Sequence, residues 1–251
     1  MIPMGPITFI WETDFSIFEA SSLVTFFFES VYLRELKFVP GFALCESAPT
    51  LLDGSVYETE DLLSTITGFG TPVTRTYTLA VSTAAFGGTQ KDSRSHITGW
   101  DFDNDDWIYN EEKFAQFDRV LDMASKHGVK LIIPIINQDY GTRDTDFVGN
   151  FNDLIRHRYN ITSYRVANTE VDWFTDVEMR CAFKKIIRKL LTRRNTFNGK
   201  IYGEDDTIFA WETGNEMNWG RQNNTIHDQP APAEVLPFSK VINGTKLMVL
   251  L

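Results

Sequence analysis

The feature that most constrains this chain is an apolar run, Val129-Lys130-Leu131-Ile132-Ile133-Pro134-Ile135-Ile136, placed directly after an amphipathic helix. A short, nearly continuous apolar stretch reads as a strand covered on both faces, as parallel sheets require. The helix before it is the clearest element. Asn110 can cap it, Glu111 and Glu112 suit its positive end, and Gly128 can stop it. Phe114, Phe117, Val120, Leu121 and Ala124 form one buried stripe along it. The same alternation recurs on either side. Residues 55–68 read as a helix that stops at Gly68-Phe69-Gly70, and residues 73–79 read as a strand. Thr175 and Glu178 have the spacing of a capping box for a helix carrying Phe183, Ile186, Ile187, Leu190 and Leu191. Residues 207–211 then read as a strand. Helix and strand in strict turn predict βαβ units and a parallel sheet. Residues 87–100 read as a polar loop, and 137–174 as a loop with an irregular section.

Composition narrows the function mainly by exclusion. The net charge of −10 argues against nucleic acid and anionic membranes, which require a basic surface. No apolar run approaches the ~18 residues of a membrane span. The first 33 residues contain no Lys or Arg, so no signal-peptide pattern is present. Cys45 and Cys181 read as free thiols, and three Asn-x-Thr triplets, at Asn160, Asn223 and Asn243, tilt the compartment toward secretion. His96, His127, His157 and His227 lack metal-ligand spacing. Asp101, Asp103, Asp105 and Asp106 lack the offsets of a calcium loop and read as a solvated turn. No glycine-rich phosphate loop follows a strand, so neither a metal nor another cofactor is expected. The chain is read as a monomer.

In a parallel barrel, reactive side chains gather at the C-terminal ends of the strands. Three polar groups fall at such ends here: Arg75 with Tyr77, Asn137 with Asp139, and Asn215 with Glu216. Cleaving a glycoside with retention takes one carboxyl group to protonate the leaving oxygen and a second to attack the anomeric carbon. A Glu following a buried strand can keep the raised pKa that the acid role needs. An Asn beside it can bond the sugar 2-hydroxyl. Trp211 reads as core. Trp100, Trp107, Tyr140 and Trp219 lie in expected loops at that face, where each is either a core ring or a platform for a sugar.

The motifs together resemble a known family. Trp173-Phe174-Thr175-Asp176, then Leu191-Thr192-Arg193-Arg194-Asn195-Thr196, then Tyr202 through Trp211-Glu212-Thr213-Gly214-Asn215-Glu216, are similar to the endo-1,4-β-mannanases of glycoside hydrolase family five, clan A. The resemblance covers roughly residues 38–235. It implies a (β/α)8 TIM barrel that acts outside the cell on β-mannan or a related polysaccharide by a retaining mechanism. It also implies Glu216 as general acid/base, Asn215 on the 2-hydroxyl and Arg75 as support for the nucleophile; by their place at a strand end and in loops of the same face, Asn137, Tyr140 and Trp219 are expected at the substrate.

The sequence departs from that family at both ends. Residues 1–37 look unlike it, and only residues 38–44 resemble its first strand. The Asn-Glu pair marks the end of strand 4, whereas the nucleophile belongs to strand 7. Residues 230–234 look like the approach to helix 4, and residues 235–251 fit nothing in the family. The expectation is therefore an N-terminal half-barrel, about strands 1–4 in residues 38–234, flanked by two atypical segments. Such a chain is expected to lack hydrolytic turnover. The alternatives are a non-catalytic carbohydrate-binding fragment and another clan A β-glycanase such as a cellulase.

Overall fold

A computed structural model of the chain describes residues 55–68, 72–137 and 148–215. The expectations placed on residues 1–37, 38–44 and 235–251, on Cys45, and on the triplets at Asn223 and Asn243 lie outside the described residues.

Helix α1 (Val56–Thr67) is held at its start by a capping box between Ser55 and Glu58. Strand β1 (Val73–Arg75) follows, then a hairpin of β2 (Ile97–Asp101) and β3 (Asp106–Tyr109). Helix α2 (Glu111–His127) is capped by Asn110, whose side chain accepts from the amides of Glu112 and Lys113, and ends at Gly128 in the left-handed conformation. Strand β4 (Lys130–Asn137), helices α3 (Phe151–Tyr159), α4 (Tyr164–Glu170) and α5 (Val177–Thr192), and strand β5 (Ile208–Asn215) complete the order.

The main sheet has the order β1-β4-β5, and both pairings are parallel. This is the arrangement the alternating sequence pattern predicts. One face carries the core: Leu131 and Ile133 of β4 and Ile208 and Trp211 of β5 join Leu63 and Ile66 of α1, Phe114, Phe117 and Leu121 of α2, and Ile186 and Leu190 of α5. Ile208 and Trp211 are three apart, yet both belong to this core. A register shift in the β4–β5 pairing, which matches Leu131 to Ile208 and Ile132 to Ala210, absorbs the extra residue.

Strand β1 is shorter than the 73–79 expected, and Pro134 explains why. The amide of Lys130 donates to Pro72 O, on the β1 side, while that of Leu131 donates to Thr207 O, on the β5 side. Alternation puts the next β1-facing amides at positions 132 and 134, and Pro134 has none. After Thr76 N donates to Ile132 O, regular pairing with β1 lapses; Leu79 N meets Ile135 O beyond the gap.

Two further differences are local. The cap of α5 is Asp176, not Thr175; its carboxylate accepts from Met179 N and also from the Tyr159 hydroxyl, a tie that Thr175 does not make. Residues read as irregular form α3 and α4. Helix α3 is only nine residues long and buries polar Asn152, Asp153 and Arg156 beside its apolar residues, so its short stretch reads as a loop.

A candidate active site at the strand ends

Asn137 closes β4 and Asn215 closes β5, side by side, while Arg75 closes the shorter β1 level with Ile132 and Ala210 and reaches them with its long side chain. Asn137 and Asn215 are direct register partners. Their amides meet: Asn215 Nδ2 donates to Asn137 Oδ1 at 2.9 Å, and Asn137 Nδ2 donates to the Tyr77 oxygen at 3.0 Å. Arg75 Nη2 donates to Asn215 Oδ1 at 3.0 Å. The sequence reading placed Arg75, Tyr77, Asn137 and Asn215 at strand ends. The fold joins them in one continuous hydrogen-bonded row.

The direction of that row is fixed chemically. A guanidinium only donates, so Asn215 must turn its oxygen toward Arg75 and its NH2 toward Asn137. Asn137 must then present its own oxygen to Asn215 and its NH2 to Tyr77. Asn137 is fully buried and Asn215 nearly so. Each amide is thus oriented by its neighbour rather than by water.

The partner that the sequence reading missed is Glu212. Arg75 Nε and Nη2 both donate to Glu212 Oε2, at 2.9 and 2.5 Å, and both side chains are largely buried. Glu212 is the one carboxylate on β1, β4 and β5 among the described residues. No spacing in the sequence signals this contact between residues 137 positions apart. The strand register does: Arg75 lies level with Ile132 and Ala210, and Glu212 lies one inward-facing step beyond Ala210.

Glu216, Tyr140, Trp219 and Asp139 lie outside the described residues; Glu216 directly follows Asn215 in the sequence. Trp100 and Trp107, weighed as platforms in loops, belong instead to the β2–β3 hairpin and are buried. Their rings meet edge to face at 4.7 Å, and Trp107 Nε1 donates to Ala182 O of α5 at 2.7 Å. They tie the hairpin to a helix and are closed to sugar. Trp211 is core, stacked on Tyr202. The acidic turn of the hairpin is organised by Asp101, which accepts from the backbone amides of Asp103 and Asn104. Cys181 is an exposed free thiol on α5. Among the described residues no group of three or more His, Cys, Asp or Glu is gathered to hold a metal, and no helix is long and apolar enough to cross a membrane.

With this geometry in hand, the chain can be compared with known proteins. Residues 78–247 match the family described as GH family 5 beta-mannosidase-like. A mannan endo-1,4-beta-mannosidase 4 from Oryza sativa subsp. japonica is 30% identical over 145 residues, which are 56% of this chain and 29% of that protein. Mannan endo-1,4-beta-mannosidase 7 from Arabidopsis thaliana is 36% identical over 110 residues, covering 43% and 23%. Among solved structures, the endo-1,4-beta-mannanase from Rhizomucor miehei superposes with a TM-score of 0.58 at 21% identity, over 82% of this chain and 53% of that one. At that identity the likeness establishes the fold, part of a (β/α)8 barrel. The chain spans about half the length of that solved structure and under a third of these curated relatives.

Proposed function

The chain belongs to glycoside hydrolase family 5, in its beta-mannosidase-like group, and on that premise we propose that it carries the acid/base side of a retaining site for β-1,4-linked mannan. Glu216 is the proton donor to the leaving oxygen. Asn215 holds the sugar 2-hydroxyl, a contact that strengthens as the oxocarbenium-like transition state forms. Arg75 and Asn137 hold Asn215 in place, and Tyr140 and Trp219 contact the polysaccharide. The protein works outside the cell as a monomer.

The observation that carries this reading is the directed row Arg75–Asn215–Asn137 at the C-terminal ends of three adjacent parallel strands, the position where barrel enzymes keep their chemistry. With Oδ1 turned to Arg75 and one Nδ2 proton given to Asn137, Asn215 keeps one N–H and one lone pair for a sugar hydroxyl.

Retention also needs a nucleophilic carboxylate ≈5–5.5 Å from the acid/base group, on the other side of the sugar. Among the described residues the sheet's one carboxylate is Glu212, and it is engaged by Arg75 on the same strand that leads to Glu216. The described part of the site therefore offers contacts to mannan but no free nucleophile. That favours the second reading as well, a carbohydrate-binding role. Titrating mannohexaose into the chain and into Asn215→Ala tests the substrate class: saturable binding weakened in the variant is expected, and equal or absent binding overturns it. Reducing-sugar release from mannan is expected to match that of Glu216→Gln. Turnover that disappears in that variant overturns the binding-only role and means that a second carboxylate completes the site.

A further inference from the structure

We infer that Glu212 is a positioning residue of this site: it fixes the Arg75 guanidinium and, through it, the orientation of the Asn215 amide. The inference rests on reading Asn215 as the sugar-contacting residue. It adds a member that acts one step behind it.

Arg75 has to reach from β1 across the whole width of β4 to β5, two inter-strand spacings of roughly 5 Å each. A long arginine left to itself samples many rotamers over such a span, and ordering it costs entropy. Two features of the structure fix it. The side chain level with it on β5 is the small Ala210. Glu212, one inward-facing step further on, takes both Nε and Nη2 on a single oxygen. A charge-assisted pair of bonds is roughly twice as strong as neutral ones, so Glu212 decides where the guanidinium plane lies. With that plane set, the second Nη2 proton points at Asn215 Oδ1.

Glu212 makes no hydrogen bond to Asn215; its influence passes through Arg75. It also balances the arginine's charge beside a nearly buried amide, where an unpaired guanidinium would compete for the Asn215 oxygen and any sugar hydroxyl. A purely structural salt bridge would hold β1 to β5 and leave the amide of Asn215 indifferent to its loss. That difference can be measured.

The test compares Glu212→Gln, Asn215→Ala and the double variant, with mannohexaose as the probe. Each single change is expected to weaken binding about tenfold, the scale of one charge-assisted hydrogen bond. The double variant should bind no more weakly than Asn215→Ala alone. Effects that multiply would show that Glu212 acts apart from Asn215 and would overturn the inference. If the wild-type chain does not bind mannohexaose, the mannan reading fails, and the Asn215 side-chain amide signals in 15N-resolved NMR decide the positioning role separately. They should move in Glu212→Gln; signals that stay in place overturn the inference. Should that variant fail to fold, Glu212→Asp keeps the charge and Arg75 in place but draws the carboxylate back by one methylene, away from the guanidinium. The same displaced Asn215 signals are expected there, and unshifted ones overturn the inference.

Discussion

His96 is buried to 1% exposure between α2 and the segment after β1, and its protonation should set how steeply the fold weakens in acid. Its Nδ1 accepts from Ala80 N at 3.0 Å, so the proton of the neutral ring sits on Nε2, which has no hydrogen-bond partner among the described residues. Phe114 and Phe117 meet the ring edge to face at 5.2 and 6.3 Å. Burial, and then the positive charges of Lys113 and Arg193, push its pKa down from 6.5 to about 3. The sign follows from proton counting. Between those values the unfolded chain binds a proton that the folded chain refuses, so stability falls as pH falls through that window. From pH 7 to pH 4 the loss is about 3 kcal/mol from this one residue. With a urea slope of about 2 kcal/mol/M, the unfolding midpoint drops by about 1.5 M. The assay is urea unfolding at both pH values, for the wild type and for His96→Asn, whose side-chain oxygen can still accept from Ala80 N. The variant is expected to be weaker throughout, because the ring packing is lost, but its midpoint should fall about 1.5 M less between the two pH values. Equal drops would mean that some other group titrates and that His96 is not held neutral by its surroundings.

The remaining predictions concern the helical layer. Asp118 of α2 accepts from Arg193 Nε and Nη2, from Thr196 and from the Tyr202 hydroxyl. Its replacement by Asn should cost about 3–5 kcal/mol in urea unfolding at pH 7, the scale for breaking one side of a buried pair. Burial alone would raise the Asp118 pKa, but the hydrogen bonds from Arg193, Tyr202 and Thr196 hold it below the usual value. Its contribution is therefore complete above about pH 4 and is lost as pH falls through the folded-state pKa, so the variant's stability should be flatter than the wild type's in that range. Asn110→Ala removes the acceptor for two N-terminal amides of α2 and should cost about 1 kcal/mol by thermal unfolding; no change would mean that water caps the helix equally well.

The helices around the sheet were legible because each buries one apolar face that repeats at 3.6 residues, and β4 because a short apolar run buried on both faces reads as a parallel strand. Where an element is short and rich in polar residues the signal is weaker. Helix α3 has nine residues and buries Asn152, Asp153 and Arg156 beside its apolar residues, so it reads as irregular. The β2–β3 hairpin is built of strands only five and four residues long, and its two tryptophans cannot be told from rim platforms until Ala182 is seen opposite Trp107. The ending of β1 depended on Pro134, a residue on a different strand. For the site, the rule that barrel chemistry sits at strand ends was enough to select Arg75, Asn137 and Asn215. It could not find Glu212, because that pairing exists only once three strands are set in register.

Buried polar groups weaken a fold unless each finds a partner, and apolar replacements of similar shape are often as stable. Elsewhere on the sheet this chain follows that preference, with Leu131, Ile133, Ile135, Ile208 and Trp211 filling the helix side. At the C-terminal end it does the opposite, placing one ion pair and two amides where apolar residues would pack. Stability alone does not call for such a group. A need for fixed hydrogen-bond directions does, since preorganised donors and acceptors cost no rearrangement when a ligand arrives. Such fixed directions suit the polysaccharide ligand proposed above, and they converge on the amide of Asn215.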